Sequence, residues 1–141
     1  MAAQQYWLMK SEPDSFSWDD LVRQGTAEWD GVRSAQAANN MKAMKKGDLA
    51  LFYHSQIGLE AVGIMEVVEE AGPDSTDSSG RWVAVHVAPK TKLPRGVSLK
   101  EMKADPALAD MKMLRQGRLS VAPLTKAEYE HILAMAERTG S

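Results

Sequence analysis

The sequence predicts an α+β fold: a curled sheet or small open β-barrel of five or six strands with peripheral helices, forming one domain over residues 1–141. Three observations carry this. Short runs of alternating or continuous apolar character recur along the chain, as strands require. Segments with N-cap residues and helical spacing separate them. The chain has no internal repeat, linker or low-complexity tract, and 141 residues can bury a single core without disulfides or a structural metal.

Residues 6–9 open the sheet, with Trp7 and Met9 on one face and Leu8 and Lys10 on the other; Ser11 follows, and Pro13 ends the strand. Residues 15–23 read as a short helix because Ser17 can cap it ahead of Asp19 and Asp20, and Gly25 can close it. A second strand runs through Trp29 and stops at Asp30-Gly31. Residues 35–45 have helical composition, with Met41 and Met44 three apart, and the Gly47-Asp48 turn launches an apolar strand over residues 49–53. Residues 58–70 alternate like a strand. Residues 71–80, rich in Gly, Pro, Asp and Ser, read as a loop, and residues 81–87 alternate again. Ser98 caps a short helix over residues 99–103, and Asp105-Pro106 opens another through Met111. A last strand is expected over residues 118–121. A final amphipathic helix follows over residues 125–138, with Thr125 and Glu128 forming a capping box.

Composition removes several classes of function. With 44% hydrophobic and 26% charged residues the chain is an ordinary globular one, and the absence of cysteine excludes thiolate chemistry and Cys-based zinc sites. His54, His86 and His131 show no metal-ligand spacing, so neither metal nor cofactor is expected. No signal-peptide pattern and no membrane-length apolar run is present, which gives a cytoplasmic expectation and no membrane partner. Charge is uneven: residues 1–30 carry two basic and six acidic side chains, whereas residues 86–118 carry eight basic and three acidic.

The residues with chemistry fall at predicted strand ends. The strand ending in Tyr53-His54-Ser55 invites a hydrolase reading, but adjacent strand residues point to opposite faces, so His54 turns away from Ser55. No GxSxG elbow, HExxH motif or phosphate loop is present. Trp18 and Trp82 read as packing residues. Trp29, ahead of an Asp-Gly turn and Arg33, is placed to line a cavity mouth and stack a flat ring. Asn39 and Asn40 offer amides that cap a turn or read a base edge. Arg115, Gln116 and Arg118 form a basic turn suited to phosphate or to surface ion pairs. This mixture points to binding more than turnover.

The segments YWLMKSEP (residues 6–13), WDGVRSAQAANNMKAMKKGDLALFYHS (29–55), GIMEVVEEAGPD (63–74), LKEMKADPALADMKMLRQGRLSV (99–121) and PLTKAEYEHIL (123–133), in this order, resemble the EVE domain family over nearly the whole chain. The resemblance implies a PUA-like fold related to the YTH readers of methylated adenine, and recognition of a modified base in DNA or RNA. The YTH pattern of a Lys-Ser step, a Gly-Val step and a base-reading Asn falls here on Lys10-Ser11, Gly31-Val32 and Asn39 or Asn40. Three departures stand out. Gly72 replaces the usual aromatic, and the loop after it is shorter than the family's common form. Gly117 stands where a Ser is usual. Arg33 occupies the position of the first YTH cage tryptophan, so methyladenine selectivity is not carried over.

The resulting expectation is a non-catalytic module holding a modified nucleobase at the barrel mouth. Ser11, Trp29, Asn39, Asn40, Tyr53, His54 and Ser55 would form its pocket, and Lys10, Arg33, Arg115, Gln116 and Arg118 would contact phosphate or polar substituents. The alternatives are a hydrolase or other enzyme on a small nucleotide-like substrate, using His54 or His86 as base, and a small-molecule sensor.

Overall fold

Strand β1 (Tyr6–Ser11) sits inside the sheet, beside parallel β3 (Leu49–His54) and antiparallel to β6 (Val121–Leu124), in the computed structural model, which describes residues 4–137. Between β1 and β3 come α1 (Trp18–Gln24), the two-residue β2 (Ala27–Glu28) and α2 (Ala35–Ala43). The long strands β4 (Glu60–Pro73) and β5 (Val83–Ser98) follow, then α3 (Leu99–Ala104), a 3-10 turn at Pro106–Leu108 and α4 (Lys112–Arg115). After β6 the chain ends the described region in α5 (Lys126–Glu137). The six strands form one open mixed sheet in the order β2-β5-β4-β3-β1-β6.

The expected caps form. Ser17 Oγ accepts from the Asp20 amide at 3.1 Å while the Asp20 carboxylate accepts from the Ser17 amide at 2.9 Å, and Ser98 with Glu101 repeats the box on α3. Thr125 and Glu128 do the same ahead of α5; residue 138, the expected end of that helix, lies outside the described residues.

Several element bounds differ from the sequence reading, and the second strand, expected to run through Trp29, stops at Glu28. Trp7, Leu8 and Met9 are all buried, so the two faces assigned by alternation are both covered. β1 has strands on both edges, and α5 packs against it. Residues 71–73 belong to β4, and β5 continues past residue 87 to Ser98, because cross-strand pairing with repeated register shifts sustains two long, bent strands through Gly, Pro and Lys. The last strand starts at Val121 instead of ending there. The segment expected to be helical through Met111 is only the 3-10 turn, after which Met111 leads into α4.

Asp48, 2% exposed, ties the start of the sheet together. Its carboxylate accepts from the Gln5 amide at 3.0 Å, Trp7 Nε1 at 3.0 Å and the Lys45 amide at 2.9 Å. The Gly47-Asp48 turn therefore sets where β3 begins and also where β1 lies beside it. Phe52 is fully buried, and Phe16, Trp18, Trp29 and His54 pack rings around it at centroid distances of 5.5 to 6.3 Å.

Candidate functional site

The end of β1, the loop after it and the Trp29-Asp30-Gly31 turn enclose a cavity of about 580 Å³, with Lys10, Ser11, Phe16, Gln24, Trp29 and Asp30 in its lining. Ser11 Oγ donates to the Phe16 carbonyl at 2.6 Å, which fixes the loop that carries the Phe16 ring. Trp29 is 7% exposed, and its ring meets Phe16 edge-on at 6.4 Å. Its amide donates to the Val85 carbonyl at 2.8 Å, extending the β2–β5 pairing and anchoring the ring.

The Asp-Gly turn is braced from below. Gly31 takes φ 78°, the left-handed region glycine favours, and its amide donates to Asp74 at 2.9 Å. Buried Asp74 also accepts from Arg33 Nη1 at 3.0 Å and from the Thr76 amide at 2.7 Å. Burial works against the Asp74 carboxylate, but hydrogen bonds from Thr76, Arg33 and Gly31 outweigh it and hold its pKa well below the ordinary range. Asp30 moves the other way: partial burial, with Asp74 and Glu28 nearby, raises its pKa. Glu28, Asp30 and Asp74 bring one carboxylate oxygen each within 4.8 Å of one another. Asp74 is already satisfied by protein donors, and Glu28 accepts from the Ser75 amide at 3.0 Å, so the group reads as a loop brace.

A second cavity, about 670 Å³, adjoins the first and shares Lys10 and Glu12 with it. Tyr53, Ser55, Leu59, Lys103, Leu114 and Arg118 are in its lining. Lys10 Nζ donates to the Gly117 carbonyl at 2.7 Å and lies 5.9 Å from the centre of the Tyr53 ring; burial lowers its pKa. Burial also pushes the Tyr53 phenol up to about 12, so it is a neutral hydroxyl at physiological pH. The Ser55 amide donates to the Ser11 carbonyl at 2.9 Å, joining the ends of β3 and β1 where the two cavities meet.

His54 faces a third cavity with Trp18, Asp19 and Glu60. Its Nε2 accepts from the Trp18 amide at 3.1 Å, at the first turn of α1. Burial lowers its pKa, outweighing the upward pull of Glu60 and Asp19. The imidazole is thus a neutral anchor for a helix.

The expected site residues therefore divide. Lys10, Ser11 and Trp29 meet at the first cavity, and Tyr53, Ser55 and Arg118 at the second. Asn39 is exposed on α2, and Asn40 Nδ2 donates to the Val121 carbonyl at 2.7 Å, binding α2 to β6. Arg33 is held by Asp74 and Thr76, Arg115 pairs with Asp110 at 2.8 Å, and Gln116 accepts from Gln36 at 2.7 Å. None of these five borders either large cavity. Gly72 pairs with Ala84, and a Cβ there would meet nothing within 4 Å, so the missing aromatic leaves open space away from both cavities. Gly117 contributes its carbonyl to Lys10 and needs no side chain to do so.

Sequence reasoning missed Phe16, Gln24 and Asp30 at the first cavity and Leu59, Lys103 and Leu114 at the second. Asp30 read as a turn residue because its neighbour is glycine. Only Lys103 had a signal, the basic excess of residues 86–118. Trp82, read as packing, is half-buried between Arg81 and Arg33, whose guanidinium carbons lie 4.6 and 5.8 Å from its ring.

The sequence matches the EVE domain family over residues 5–135. Mouse thymocyte nuclear protein 1 is 38% identical over 168 aligned residues, covering 94% of this chain and 74% of its own length. A crystal structure from Agrobacterium tumefaciens superposes with a TM-score of 0.91 at 45% identity, covering 94% of this chain and 93% of that one. The human THYN1 protein in complex with DNA containing 5-methylcytosine gives a TM-score of 0.91 at 33% identity, covering 97% and 100%. The YTH domain of the Zygosaccharomyces rouxii MRB1 protein, in complex with N6-methyladenosine RNA, shares the fold at a TM-score of 0.63 and 15% identity. The open sheet with its peripheral helices is thus the PUA-like fold.

Proposed function

The chain belongs to the EVE domain family, and from that premise we propose that it is a non-catalytic module that binds nucleic acid by holding a modified base in the first cavity. The observation that carries this reading is the lining of that cavity. Trp29 and Phe16 supply aromatic walls, and stacking of a base on such a ring contributes about 1–3 kcal/mol. Ser11, Gln24 and Asp30 supply donors and acceptors at the ring's edge. The Asp30 carboxylate is an acceptor of the kind that pairs with the exocyclic amino group of cytosine or adenine. The human THYN1 protein is in complex with DNA containing 5-methylcytosine, a base with such an amino group, and this supports the reading.

Binding is favoured over turnover by the state of His54, whose Nε2 lone pair is occupied by the Trp18 amide and is not free to take a proton from a substrate.

The test is binding of short single- and double-stranded DNA and RNA, with and without methylated or hydroxymethylated bases, at two salt concentrations. The expected result is preference for one modified base, lost in Trp29→Ala and weakened in Asp30→Asn, a surface change that leaves the core intact. Affinity should fall as salt rises, with a logarithmic slope of about 0.7 per contacted phosphate for a single strand. Equal binding of modified and unmodified strands by the wild type would sink the base-reading proposal.

A further inference from the structure

The lining of the second cavity is of two kinds. Tyr53, Leu59, Leu99 and Leu114 make an apolar wall. Lys103 and Arg118 stand exposed beside it, and their side chains make neither a hydrogen bond nor an ion pair among the described residues. Other arginines near these surfaces are committed: Arg33 to Asp74, Arg95 to Glu101 and Arg115 to Asp110. The turn that brings Leu59 to the lip is unusual, because Gln56 and Leu59 take φ 67° and 48°, a region non-glycine residues seldom enter. Leu59 stays 43% exposed there. A strained turn displaying an apolar side chain beside two unpaired cations has the chemistry of a site for an aromatic anion.

Its position narrows the choice. Ser11 at the end of β1 borders the first cavity and Ser55, just past β3, borders the second, and the two strands are neighbours about 4.8 Å apart. Lys10 and Glu12, which line both cavities, lie between them. Building on the proposal that the first cavity takes the modified base, we propose that the second cavity takes the nucleotide adjoining it. The ring of that nucleotide lies on Leu59 and Leu114, with the edge of buried Tyr53 at the floor, and its phosphate lies on Lys103 and Arg118. Lys10 then faces the linkage between the two nucleotides. The ligand is a strand of at least two nucleotides, with the modified base at one end of the recognised step.

Titration calorimetry on the intact chain tests this with three probes: the 5-methylcytosine nucleoside, dinucleotides extending it on the 5′ or the 3′ side, and the same dinucleotides with cytosine. One extension should bind roughly tenfold more tightly than the nucleoside. Lys103→Gln with Arg118→Gln should remove that gain and leave nucleoside binding as it was, since neither side chain borders the first cavity. Leu59→Ser should reduce the gain without any charge change. Equal affinity for the nucleoside and both dinucleotides overturns the second site while leaving the base site standing. If none of the probes binds, the base site for 5-methylcytosine falls and the adjoining site falls with it.

Discussion

Two aspartates carry more structural weight than the aromatic residues that first draw the eye. Asp48 receives three donors, from Gln5, Trp7 and Lys45, and is 2% exposed. Asp48→Ala would leave an indole N–H and two amides unsatisfied, at a cost of about 3 kcal/mol or more. Urea unfolding should show that loss with little change in the slope, and a loss under about 1 kcal/mol would mean the donors find other partners. Sequence displayed Asp48 only as half of a Gly-Asp turn; its role depends on Trp7, 41 positions away. His54 shows the same limit. Strand alternation correctly turned it away from Ser55, yet that its Nε2 accepts from the backbone of α1 follows only from where the helix docks.

At the scale of elements, α1 and β4 are matched through one pair. Trp18 begins α1, and its ring lies so close to Gly63 on β4 that a Cβ there would come within 2.5 Å of the ring carbons. Gly63→Ala should therefore displace Trp18 and destabilise the fold by about 1–3 kcal/mol. Because Trp18 also presents its amide to His54, the change should perturb the His54 ring resonances in an NMR titration. Unchanged stability and unchanged resonances together would show that the helix can shift freely. Helices were legible because their caps are local: Ser17, Ser98 and Thr125 each bond to a residue three positions on. Strand ends were less so. The extension of β5 to Ser98 depends on pairing with β4, which no window of β5 alone contains.

Across the whole molecule, charge makes stability fall toward acid. Asp74 is held below the ordinary carboxylate range, and Glu101 is held at about 2 by the Arg95 guanidinium and the Ser98 amide. Carboxylates whose folded pKa is depressed contribute stability above their unfolded values, near about 4, and that contribution is lost as pH falls through the folded values. His54 acts in the same direction at higher pH. Its folded pKa is lowered, so the unfolded chain takes up the proton first and stability declines as pH drops below about 6.5. Asp30, with its raised pKa, opposes the trend. Urea midpoints should drop slightly from about pH 8 to 5 and more steeply from about 4 to 2. An Asp74→Asn variant should start lower and fall less. A flat profile for the wild type down to about pH 3 would contradict this assignment.

By itself the sequence determined the α+β class, the capped helices, the apolar strands and, through ordered motifs, the resemblance to EVE domains. It also placed Ser11 and Trp29 among the residues with binding chemistry, because residue types at strand ends are local properties. Only the tertiary structure decided that Tyr53, Ser55 and Arg118 border a different cavity from Ser11 and Trp29, that Asn40 holds α2 to β6, and that Arg33 braces a turn. The physical reason is that a cavity is a property of neighbouring strands. Parallel pairing of β1 with β3 sets Ser11 beside Ser55 across 44 positions of sequence, and burial then fixes which polar groups find partners and which stay free for a ligand.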